Sequence, residues 1–75
     1  MENSGLYLAQ YEAIYKAVDA HLDIRGSALS ALVKICIGNH GKLTTAVRDK
    51  FKHCVPDSYF DYIEEVAKDV LHSSS

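Results

Sequence analysis

The sequence predicts an all-α fold, a small bundle of three to four short helices that is possible as a helix-turn-helix. Two observations carry this. Apolar residues recur at three- and four-residue spacings in several separate segments, and no segment alternates as a half-buried strand does. A chain of 75 residues makes one domain spanning 1–75, and a domain of that size buries only about 60% of its unfolded surface. Its core is thin, so a disulfide, a metal or a second subunit has to be looked for as added support.

The first helix is expected to start after Asn3 or Ser4, either of which can cap it, and to place Tyr7, Tyr11, Ile14, Val18 and Leu22 on one face. Gln10, Glu12 and Lys16 mark its far side. Asp23, Ile24, Arg25 and Gly26 read as a connector, after which Ser27 caps a second helix running through Ile37. That helix is apolar nearly all round, with only Ser30 and Lys34 polar, which places it centrally in the fold or in a dimer interface. Gly38, Asn39, His40 and Gly41 then stop it, since Gly and Asn tolerate left-handed backbone. Thr44 or Thr45 caps a short third helix to about His53, and Pro56 ends the segment. The fourth helix, capped by Asp57 or Ser58, has the clearest stripe: Tyr59, Phe60, Ile63, Val66, Ala67, Val70 and Leu71. Residues 72–75 read as a frayed end.

Composition removes several classes of protein. With 48% hydrophobic and 24% charged residues, the chain is neither disordered nor fibrous. The longest apolar stretch, Ala28 to Ile37, is interrupted by Ser30 and Lys34 and falls well short of the roughly 20 residues of a membrane-spanning helix. The N-terminus has no basic flank followed by an apolar run, so a cytoplasmic protein with no membrane partner is expected. Cys36 and Cys54 then read as small buried hydrophobes kept reduced. No metal is expected, because Cys36 with His40 is one mixed pair and His53 with Cys54 are adjacent, unlike zinc-ligand spacing. His21, His40 and His72 are read as helix-end residues. No cofactor loop or activated nucleophile is legible, and the carboxylate pair Glu64 and Glu65 reads as an exposed, solvated face. A non-enzyme is expected.

The polar feature that carries most information is charge segregation. Residues 34–53 contain Lys34, Lys42, Arg48, Lys50 and Lys52 against Asp49 alone, a local +4. Residues 54–72 reverse it, with Asp57, Asp61, Glu64, Glu65 and Asp69 against Lys68, a local −4. One reading makes the second and third helices a DNA-binding pair that uses the basic segment 42–53, with Thr44, Thr45, Arg48, Lys50 and Lys52 at the recognition surface. The other lays the basic third helix against the acidic fourth, where the charges balance within the domain. A net charge of −2 favours the second. Protein binding draws on different residues: the acidic fourth helix with Asp61 and Glu65, and a ridge of Tyr7, Tyr11 and Tyr15 along the first helix. Tyr7 and Tyr11 are expected on the core, whereas Tyr15 drifts off the stripe towards solvent.

Residues 39–64, with Gly41, Leu43, Thr44, Arg48, Phe51, Val55, Asp57, Phe60, Ile63 and Glu64, resemble a helical segment near the C-terminus of some Fic-family adenylyltransferases. That segment commonly reads N-x-G-x-L-S, then basic residues and Phe, then a short acidic-capped helix. The likeness covers about a third of the chain. The family's catalytic H-P-F-x-x-G-N-G-R loop is absent, so the resemblance implies a helix-turn-helix-like accessory module and no catalysis. The expected function is therefore that of a small regulator or inhibitor acting by macromolecular binding, to a protein first and to DNA as the alternative. A homodimer is also expected, because three other short helices do not suffice to cover Leu29, Leu32, Val33 and Ile37 on the second.

Overall fold

The computed structural model of the chain describes residues 2–74, and the side chains of residues 5–73. Four helices follow in order: α1 (Glu2–His21), α2 (Gly26–Gly38), α3 (Thr45–Phe51) and α4 (Asp57–Ser74). The described residues contain no strand. α1, α2 and α4 pack pairwise on one another, whereas α3 has no extensive backbone contact with any of them.

The core follows from the periodicity. Ile14 and Val18 from α1, Leu29, Leu32, Val33 and Cys36 from α2, and Phe60, Ile63 and Ala67 from α4 are all buried, and Val55 and Leu43 close its edges. The helix predicted to be apolar on all sides is indeed central. Its Leu29, Leu32 and Val33 are wholly buried within the single chain and Ile37 is half-buried. The expectation that a lone chain leaves those residues at the surface is therefore corrected: α1 and α4 are long enough to close over α2.

Helix ends show which local rules operate. α3 begins as expected, with the Thr44 hydroxyl accepting from the Val47 N–H at 3.4 Å. It stops at Phe51 rather than near His53. α2 begins one residue before Ser27, after Arg25, and no side chain caps it. α1 starts at Glu2, upstream of Asn3 and Ser4, whose expected capping side chains lie outside the described residues. α4 opens at Asp57 and stays helical through Ser74, so the frayed end expected at 72–75 is not seen in the described part of it; Ser75 lies outside the described residues.

The turn after α2 takes positive φ at His40 (55°) and Gly41 (84°), while Asn39 stays at negative φ. The N–H groups of Asn39 and Gly41 both donate to the Cys36 carbonyl, at 3.2 and 2.7 Å, which satisfies the end of α2. Gly41 is required here twice over. Besides its φ, a Cβ at this position would lie 2.9 Å from Lys68 Cγ, so the turn sits directly on α4. The connector between α1 and α2 is likewise no loose linker, because Ile24 inserts into the core.

Candidate functional site

Two surfaces bear the residues singled out in the sequence. The first is the α3 face. Arg48 does not present itself to a ligand. Its Nη2 pairs with Glu64 Oε1 at 2.7 Å, Nη1 with Asp61 Oδ1 at 3.1 Å, and Nε donates to the Leu43 carbonyl at 2.9 Å. The guanidinium also lies 5.7 Å from the centre of the Phe60 ring. Glu64 completes the cluster by accepting from the Leu43 N–H at 2.6 Å. Arg48 is half-buried, and the solvated character expected of the Glu64–Glu65 pair is corrected for Glu64, which is half-buried, while Glu65 is exposed.

The ionisation of these groups reflects the cluster. Burial works to raise the Glu64 pKa, but the Leu43 N–H and the charges of Arg48 and Lys68 outweigh it and hold the carboxyl below its ordinary value. The basic third helix does lie against the acidic fourth at Arg48, Asp61 and Glu64. Elsewhere the segment stays open. Thr44, Thr45, Lys50 and Lys52 are exposed, and Lys52 reaches only its neighbour Asp49, at 3.6 Å. Residues 39–44 separate α2 from α3, which is longer than the roughly 3–4-residue turn of a helix-turn-helix pair.

The second surface is the outer flank of α1. Tyr7, Tyr11 and Tyr15 stack in series, with ring centroids 6.5 and 5.8 Å apart. The Tyr11 hydroxyl and the Ser30 hydroxyl of α2 share a 2.6 Å hydrogen bond. The Tyr15 hydroxyl reaches the start of α2, 3.3 Å from where a Cβ on Gly26 would lie. The ladder is thereby tied to α2 by the hydroxyl of Tyr11, and Tyr15 lies close beside the α2 N-terminus. Tyr7, expected on the core, is instead 38% exposed, because α1 overhangs the helices it packs on; Tyr15 is half-buried. Leu8, 60% exposed, lies on the Tyr15 side of the ladder, whereas Leu6, 46% exposed, projects from the opposite side of α1; with Tyr7 these are the exposed large hydrophobic residues among those described. Beside them a groove of about 410 Å³ is lined by Tyr11, Glu12, Tyr15, Lys16 and Ser30.

A wider groove of about 920 Å³ runs between the α2 end and α4, past Ile37, His40, Glu65, Val66 and Asp69. It brings Glu65 beside apolar side chains, one helical turn beyond Asp61, which pairs with Arg48. Among the described residues no three His, Cys, Asp or Glu side chains are grouped to hold a metal ion, and no helix is long and apolar enough to cross a membrane. Cys36 is buried and unpaired as expected. Cys54 is unpaired but exposed, against expectation, since α3 ends before it and only Val55 turns inward.

Sequence reasoning did not find Leu6 and Leu8, which sit outside the three-four stripe, and it set the third helix against the fourth without naming Glu64 as the centre of the contact. The i to i+4 spacing of Leu8 and Glu12 was the available signal for the first. For the second the signal was the charge segregation, which sets the basic third helix against the acidic fourth; which acids Arg48 meets is set only by the fold. Comparison of the chain with family models, with curated proteins and with solved structures finds no match.

Proposed function

We propose that this protein is a non-catalytic, cytoplasmic regulator or inhibitor that acts by binding another protein through the outer flank of α1. The observation that carries the reading is the exposed Tyr7 and Leu8 beside a tyrosine ladder tied to α2 by the hydrogen bond between Tyr11 and Ser30. A rigid ladder of amphipathic rings gives large contact area at low entropic cost, and exposed apolar residues clustered with it distinguish an interface from scattered surface leucines. The cytoplasmic assignment is supported by two unpaired thiols in so small a chain.

DNA binding is the second reading, supported by exposed Thr44, Thr45, Lys50 and Lys52 around a Thr44-capped α3 and by the helix-turn-helix-like module that the Fic resemblance implies. Against it, the one arginine of the segment is occupied by Asp61 and Glu64. Affinity capture from nuclease-treated host lysate, comparing the native chain with Leu8→Glu and Lys50→Glu, separates the two. Capture of a specific protein that Leu8→Glu abolishes and Lys50→Glu leaves intact is the expected result. A gel shift with duplex DNA at low salt that collapses as salt rises and is weakened by Lys50→Glu would replace it with the second reading.

A further inference from the structure

The α1 flank has a charge pattern that specifies an occupant. Leu8, Glu12 and Tyr15 recur at spacings of four and three, so they share a stripe, and Lys16 continues it one turn beyond Glu12. Glu12 and Lys16 line the same groove as Tyr11 and Tyr15, yet neither forms an ion pair among the described residues. The stripe therefore offers one unpaired acid and one unpaired base, in fixed order along the helix, on either side of position 14. Such a stripe is complementary to itself when reversed.

We infer that the α1 flank pairs with the same flank of a second copy of this chain, the two helices running antiparallel about a twofold axis near residue 14. In that arrangement Glu12 of each copy faces Lys16 of the other, giving two equivalent ion pairs, the self-complementary geometry of a twofold interface. The two Tyr15 rings meet near the axis, and Leu8 extends the contact at each end. A parallel arrangement would set Glu12 against Glu12 and Lys16 against Lys16, which like-charge repulsion disfavours.

The size of the surface fixes the strength expected. A helix of 20 residues is about 30 Å long and about 10 Å wide, a strip on the order of 300 Å². That is less than half of the ~800 Å² per partner of a standard stable interface, so pairing is weak, reversible and dependent on concentration. It occupies the face proposed for the protein partner. In function it rests on that reading, because self-pairing would then mask the partner site; as a contact between copies it does not.

Sedimentation equilibrium of the full chain, from about 1 µM to a few hundred µM, reads the pairing directly. The mass is expected to rise from 8.3 kDa towards that of a dimer. Glu12→Lys and Lys16→Glu, both at exposed positions, should each weaken self-association at least about tenfold, with helical circular dichroism unchanged. Mixing the two variants should restore pairing, as should carrying both substitutions in one chain. A mass constant at 8.3 kDa over the whole range would overturn the inference. So would self-association indifferent to both substitutions, or variants that fail to pair when mixed. Failure of the pairing is distinguishable from failure of the proposed function: a strictly monomeric chain whose capture of a host protein is still abolished by Leu8→Glu retains the binding surface and loses only the second copy as its occupant.

Discussion

Cys36 and Cys54 are the same chemical group in two environments, and the contrast can be read out. Burial, with a smaller contribution from the charge of Glu64, pushes the Cys36 thiol up to about 12. At neutral pH it is therefore un-ionised as well as inaccessible. A thiol-reactive probe is expected to modify the exposed Cys54 in the native protein and Cys36 only after unfolding; rapid native labelling at Cys36 would mean that α2 does not occupy the core. Phe60 is the largest wholly buried side chain, and it lies beneath the Arg48 guanidinium as part of the core cluster. Phe60→Ala is expected to lower unfolding stability by about 3–5 kcal/mol. A loss below about 1 kcal/mol in denaturant unfolding would contradict its place in the core. Gly41 is a different kind of constraint, since its replacement acts through backbone strain at φ 84° and contact with Lys68 rather than through lost burial.

At the scale of the element, α3 is the exception. It has seven residues, none of them buried, and a helix so short is not stable by itself. Val47 and Phe51 rest half-buried against the core, and the remaining hold on α3 is Arg48 bound to α4. Glu64 is the centre of that hold, because it receives both the Leu43 N–H and the Arg48 guanidinium. Its folded pKa lies below its unfolded value. The stability it contributes is thus fully present above the unfolded carboxylate pKa and is lost as pH falls through the folded one. Glu64→Gln is expected to cost about 1.5–3 kcal/mol at neutral pH, the scale of a hydrogen bond to a charged group. It should also flatten the acid limb of the stability curve measured by urea unfolding; a variant whose acid limb matches the native one would remove Glu64 as the titrating group. The Thr44 cap and the α4 stripe were legible in the sequence, because each is set within a few residues of chain; Pro56 stands at the start of α4 rather than at the end of α3, which stops at Phe51. The specific pairing of Glu64 with Arg48 was not legible. It joins positions sixteen apart on two different helices, which is a property of packing rather than of local spacing.

For the molecule as a whole, the difference between the three long helices and α3 becomes a difference in cooperativity. α1, α2 and α4 share one core in which each contributes wholly buried residues: Ile14 and Val18, Leu29 to Cys36, and Phe60 to Ala67. None can leave without exposing apolar area on both of the others, so they should open together with the free energy of global unfolding. The expectation of a central, all-apolar α2 was correct in position, but the sequence does not show how far α1 and α4 reach, and that length is what covers Leu29, Leu32 and Val33 inside one chain. The same length carries Leu6, Tyr7 and Leu8 beyond the core. Native-state amide exchange should therefore divide the chain in two at concentrations where it is monomeric. Amides from Ile14 to Val18, Leu29 to Cys36 and Phe60 to Ala67 should share one high protection level that falls in parallel as denaturant is added. Amides of α3 and of the first turns of α1 should exchange through smaller openings that depend little on denaturant. Core-level protection across Thr45–Phe51 would show that α3 belongs to the cooperative unit and that Arg48 and Glu64 bind it far more firmly than a half-buried ion pair does.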